Sequence, residues 1–318
     1  MKIVQQKGRG IMKERQIEIV DKTLVALWEL QGDKLKGKIP ELKELIKLIY
    51  LIGSDYIEIT PEIYEELYPL PVDIEFRVNV IKEIYISSGE FVEASIKKNR
   101  EISNLNNVRI LGLDDLMIYD YEEKLLKLMN AFGKGMEICI GNKYGCSTAI
   151  TLEWIKLGGH KVVTSFAGIL GYTPLEEILG AIEFLHKINL RGNHVLFPTV
   201  LQMYENITEE KLPANMPFIG RNIFDVESGI HVSGLAKDSN TYEPYDPSKI
   251  GRQRKIVIGK HSGIKALKIK FEELKISYKE EKLQLTLDII RMKSSNLGRG
   301  LLNEEILHIY ESVGAEDE

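Results

Sequence analysis

The sequence predicts an α/β fold in which parallel strands alternate with helices, followed by a small, mainly α-helical C-terminal part. Three observations carry this. Short apolar stretches of strand type recur between amphipathic stretches of helix type. The helix-type stretches close on glycine, as at Gly53, Gly133 and Gly158. Near residue 213 this rhythm stops and gives way to a turn-rich, polar segment and then two helices.

The first strand is "IEIV" (17–20), and Pro40 then opens the helix "ELKELIKLIYLIG", whose apolar residues fall at helical spacing. "DYIEI" (55–59) follows as the second strand, and "DIEFRVNV" (73–80) and "EIYIS" (83–87) as further strands. "EASIKKNREISNLNN" reads as helix and then loop. "VRILGL" (108–113), "EICI" (137–140) and "KVVTSF" (161–166) resume the series, separated by the amphipathic helices "YEEKLLKLMNAFG" and "STAITLEWIKLGG". After the helix "PLEEILGAIEFLHKI" comes a weak strand at "HVLF", and "KLPANMPFIGRNIF", with two of the ten prolines, leads out of the parallel region. The expected domains are therefore 1–219 and 220–318, the second closing on the helices "YKEEKLQLTLDIIRMKSS" and "NEEILHIYESV".

Composition excludes several classes. With 318 residues, 44% apolar and 28% charged, the chain has the balance of a globular protein. A net charge of −5 without a basic tract argues against a nucleic-acid surface. No apolar run reaches the ~20 residues of a membrane span. Two cysteines build no disulfide framework, and no signal-peptide pattern opens the chain, so the cytoplasm is the expected compartment.

The stretches "ESGIHVSG", "TYEP" and "IGKHSG" occur in that order between Glu227 and Gly263. They resemble the C-terminal subdomains of the homocitrate synthase and isopropylmalate synthase family, whose members read ESGIHVDG, TYEP and IGKHSG. The resemblance extends to the first domain: "IVDKTL" is similar to the family's DTTLRDGEQ strand, "EICIGNKYGCSTA" to HAHNDYGMATA, and "TSFAGILGYTPLEEIL" to the NGLGERAG segment. It implies a TIM-type barrel, degenerate here. It also implies a shortened one, since the roughly 80 residues from "DYIEI" to "EICI" hold only two or three units at about 30 residues each. The resembled enzymes hold a divalent metal on an aspartate, two histidines and an asparagine. Those positions here are Ala26, Cys139, Gly141 and Ala167, with Val25 for the neighbouring arginine. Methyl groups and hydrogen coordinate no cation, so the expectation is that this chain binds no metal and no other cofactor.

In contrast, the resemblance retains His231 and Tyr242, which in such enzymes reach into the neighbouring chain's active site. Ser233 departs from the family's aspartate. The pattern is nearest to the alpha, non-metal-binding subunit of a split, nitrogen-fixation-type homocitrate synthase. That implies an acyltransferase subunit, inactive alone, that joins a metal-bearing barrel subunit to condense acetyl-CoA with 2-oxoglutarate. His231 and Tyr242 are then the candidate catalytic residues, and Lys260, His261 and Ser262 offer donors to an anionic substrate. Read without the resemblance, a lone histidine among glycines is a structural residue and "IGKHSG" a tight strand-to-helix turn. Asp21, Glu58 and Glu137 are candidates for structural ion pairs in a barrel mouth, and Cys139 and Cys146 for buried spectators. The rival function is a non-catalytic partner that stabilises or regulates such a synthase.

Overall fold

The computed structural model describes residues 17–78, 81–102, 108–227 and 243–313. The chain divides into two compact units, Met1–Asn193 with Asn206–Thr208, and His194–Glu205 with Glu209–Glu318. The 219/220 boundary expected from composition falls inside the second of these. None of the described helices is long and apolar enough to cross a membrane.

The first unit is built on β1 (Glu18–Asp21), β2 (Tyr56–Ile59), β3 (Phe76–Val78), β4 (Lys82–Ile86), β5 (Val108–Gly112), β6 (Glu137–Ile140) and β7 (Lys161–Thr164). All are parallel, in the order β3-β2-β1-β7-β6-β5-β4. The two outer members follow one another in the chain. In a flat sheet they would stand about 29 Å apart, six spacings of ~4.8 Å. The four residue steps from Val78 to Lys82 span at most ~14 Å. The sheet is therefore rolled into a barrel. Side-by-side parallel strands need a crossover of about a dozen residues, so β3 and β4 are successive stretches of one wall position, the first against β2 and the second against β5. Seven strands thus occupy six places, which is the shortening the sequence implied.

Helices cover the outside of this sheet. They are α1 (Thr23–Leu35), α2 (Ile39–Ile52), α3 (Pro61–Leu67), α4 (Val92–Lys98), α5 (Tyr121–Phe132), α6 (Ser147–Leu157) and α7 (Leu175–Gly180). Their ends follow local chemistry. In α2 Pro40 stands in the first turn, Leu42, Leu45, Ile46, Ile49 and Ile52 make the buried stripe, and Gly53 ends the helix at φ 133°. A side chain at Gly53 would meet the Arg191 carbonyl at 2.6 Å. Asp120 caps α5 by accepting from the Glu123 N–H at 3.1 Å. The stretch "HVLF" is a correction to the sequence reading: His194–Leu196 is a 3-10 turn that runs directly into α8 (Phe197–Thr208), because Pro198 fits the first helical turn and lacks the N–H a strand requires.

The second unit contains a two-strand parallel pair, β8 (Asp225–Val226) and β9 (Lys255–Ile256). After it come α9 (Ile264–Glu273), α10 (Glu280–Leu297) and α11 (Asn303–Ser312). Leu267, Phe271, Leu283, Leu287, Ile290 and Ile306 form its core with Ile258 and Leu301.

Candidate functional site

The strand registers place one set of side chains on the inner face of the barrel. Glu18 lies opposite Lys161, Glu58 opposite Arg77, and Arg109 between Glu83 and Glu137. Val20, Cys139 and Val163 form a small apolar cluster on the same face, with Tyr56, Leu111 and Tyr172 against it. Alternate residues such as Ile19, Ile57, Ile84, Ile110 and Ile138 face the helices and are buried.

The inner charges form a continuous chain. Arg109, fully buried in mid-strand, donates to Glu58 Oε1 at 3.0 Å, to Glu83 Oε1 at 3.1 Å and to Glu137 Oε2 at 2.7 Å. Arg77 pairs with Glu137 and, at 3.4 Å, with Glu18. Lys161 lies 3.6 Å from Glu18, and Lys22 lies 3.5 Å from Glu58 and 3.6 Å from Glu83. Burial works against the Arg109 cation, but the Glu58 and Glu137 carboxylates more than offset it and raise its pKa. Burial also works against the Glu58 carboxylate, and the Arg109 guanidinium overcomes it and holds its pKa below the usual value. Glu58 and Glu137 are thus the structural ion-pair residues their positions suggested. Asp21 has a different partner. It accepts from the Thr23 N–H at 3.0 Å and from Thr23 Oγ1 at 2.8 Å, and burial pushes its carboxyl up to about 7.

The four positions that correspond to the resembled enzymes' metal ligands carry groups unsuited to a cation. Ala26 is a buried methyl on α1. Cys139 is a buried thiol pushed up to about 12 by burial, so it stays protonated and is not a thiolate ligand. A Cβ at Gly141 would collide with the Asp114 carboxylate, which is itself pinned by the Lys143 N–H at 2.9 Å. Ala167 has a left-handed φ of 56°, and its N–H donates to Glu176 Oε2 at 2.9 Å. Among the described residues no three His, Cys, Asp or Glu side chains converge in a way that could hold a metal ion. The residues present do not fit a divalent cation.

In the second unit, Lys260, His261 and Ser262 fall on one turn between β9 and α9. The side chains of Lys260 and His261 are exposed, and Ser262 is buried. Several of the turn's backbone donors are engaged internally. The His261 N–H donates to Glu227 Oε1 at 2.8 Å, and the Gly259 N–H to Ser262 Oγ at 3.0 Å. Arg291 on α10 holds the Ser262 carbonyl at 2.7 and 3.0 Å. His231 and Tyr242 lie outside the described residues. Sequence reasoning missed Lys22, Arg77, Arg109 and Glu227. The signal for Arg109 and Arg77 was present, a single arginine inside each of the apolar strands "VRIL" and "EFRV".

Comparison with known proteins places these features. Residues 218–296 match the family described as "Homocitrate synthase post-HMGL domain-like". A relative named homocitrate synthase, omega subunit, from Clostridium pasteurianum is 33% identical over 83% of this chain and 72% of its own length. The sequence resemblance, by contrast, suggests an alpha subunit. 2-Isopropylmalate synthase 2 of Caldanaerobacter subterraneus is 34% identical over 60% of this chain and 50% of its own. A homocitrate synthase of Methanothermobacter thermautotrophicus is 35% identical over 54% of this chain and 44% of its own. The chain thus spans about half the length of the last two. A solved hydroxymethylglutaryl-CoA lyase from Pseudomonas aeruginosa aligns with 62% of the chain at 11% identity and a TM-score of 0.41. The chain belongs to the homocitrate synthase and isopropylmalate synthase family.

Proposed function

We propose that this chain is a subunit of a heteromeric homocitrate synthase, docking beside a metal-bearing barrel subunit and lending it His231 and Tyr242. The condensation joins the acetyl methyl of acetyl-CoA to the ketone of 2-oxoglutarate, then releases CoA by hydrolysis. It requires a Lewis acid or equivalent donors for the ketone oxygen. The single observation that carries the reading is a contrast within one chain: the family's C-terminal segments are present, while the barrel's ligand positions are methyl, thiol, hydrogen and methyl. The relative named an omega subunit adds support for a divided enzyme. His231 serves as general acid or base, Tyr242 donates to the substrate oxygen, and Lys260 and His261 meet an anionic part of a substrate from the turn that Ser262 shapes.

Reconstitution tests this. The chain alone releases no CoA from acetyl-CoA and 2-oxoglutarate, and the mixture with the partner does so in a chelator-sensitive way. His231→Ala lowers kcat of the mixture about 10²–10⁴-fold, the range for a lost general acid or base. Tyr242→Phe lowers it less, and Lys260→Ala raises KM with kcat unchanged. A partner that turns over equally fast without this chain, or a His231→Ala mixture at full rate, refutes the trans-acting role and leaves the regulatory one.

A further inference from the structure

We infer that Lys22 is the resident cation of this barrel: its ammonium supplies, from within the chain, the positive charge that the acidic mouth would otherwise draw from a divalent ion. This stands on the family assignment and is independent of whether the chain lends residues to a partner.

The placement is the first argument. Lys22 directly follows β1, its side chain is 6% exposed, and its Nζ is 3.5 Å from Glu58 and 3.6 Å from Glu83. The ammonium also stands 5.1 Å from the centre of the Tyr172 ring, a cation–π contact that accepts charge without a counter-ion. Burial alone would pull a lysine toward its neutral form, yet the Glu58 carboxylate and the groups around it raise its pKa, so the charge stays.

Charge balance is the second argument. Glu18, Glu58, Glu83 and Glu137 face Lys22, Arg77, Arg109 and Lys161, four against four. Without Lys22, Glu58 and Glu83 would share the Arg109 guanidinium, which already serves Glu137. The cost falls on Glu58, which is buried and would be left short of a counter-charge, more than on the partly exposed Glu83.

The third argument is that the ligand space has been filled. The Asp114 carboxylate stands where any side chain at Gly141 would begin, and Ala26 is fully buried on α1. Returning a histidine to 141 therefore displaces a pinned carboxylate before it offers a ligand.

The test uses the full chain and three readouts. Wild-type protein shows no heat on calorimetric titration with Mn2+, and its melting temperature is unchanged by EDTA, Mg2+ or Mn2+. Lys22→Met lowers the melting temperature at pH near 7 by about 6–12 °C, while Lys22→Arg, which keeps the charge, stays closer to wild type. Adding Glu83→Gln to Lys22→Met recovers part of the loss, because it removes one of the carboxylates that would then have only the shared Arg109 guanidinium. Stoichiometric Mn2+ binding by wild type, a chelator-lowered melting point, or Lys22→Met melting with wild type overturns the inference. If Lys22→Met yields no folded protein, the double variant decides: folded supports the inference, unfolded overturns it.

Discussion

Arg109 spends its guanidinium on three carboxylates drawn from three other strands, Glu58, Glu83 and Glu137. Replacing it with methionine leaves those acids without their shared cation, and unfolding experiments on Arg109→Met should show a loss of about 3–5 kcal/mol. Glu176 makes a different prediction. Burial pushes its carboxyl up to about 8 from 4.5, against the backbone N–H groups of Ala167 and of Glu176 itself, and its Oε1 has no hydrogen-bond partner among the described residues. The neutral form is the one the fold prefers, so its stability contribution is complete below about 4.5 and is lost as pH climbs toward about 8. Glu176→Gln keeps an acceptor for Ala167 and removes the titration. Its melting temperature should therefore fall less than that of wild type between about pH 5 and pH 8, and parallel curves would refute the assignment. At this scale the sequence displayed which residues are acidic and interior but not whom they meet. Arg109 reaches Glu58 across 51 positions, a pairing fixed by the closing of the barrel and not by any local pattern.

Elements were more legible, because their signals are local. The prolines and glycines that bound α2, and the glycines after α5 and α6, act within one turn of the backbone, so reading them needs no knowledge of the fold. Thr60 is a similar case: it caps α3 by accepting from the Ile63 N–H at 3.2 Å, and Thr60→Ala should cost about 1 kcal/mol in a denaturant titration. "HVLF" was misread because an apolar run of four fits either periodicity. Pro198, just after His194–Leu196, was the deciding residue. In the second unit α10 presents Leu283, Leu287 and Ile290 to the core, the spacing of one helix face. Ile290→Ala, which deletes a fully buried side chain, should destabilise that unit by about 2–5 kcal/mol.

For the whole molecule, two compact units with separate cores predict two calorimetric transitions instead of one. Arg109→Met should lower one and Ile290→Ala the other. A single transition shifted by both would contradict this. The barrel's six places were legible only as a shortage of residues between "DYIEI" and "EICI". That β3 and β4 share one place could not be seen, since "DIEFRVNV" and "EIYIS" read equally well as two neighbouring strands. The clash between the Asp114 carboxylate and any side chain at Gly141 means that a substitution there brings crowding before it brings a ligand. A histidine placed there alone would have to push that carboxylate off the Lys143 N–H and would still gather no ion, because Ala26 and Ala167 offer only methyl groups.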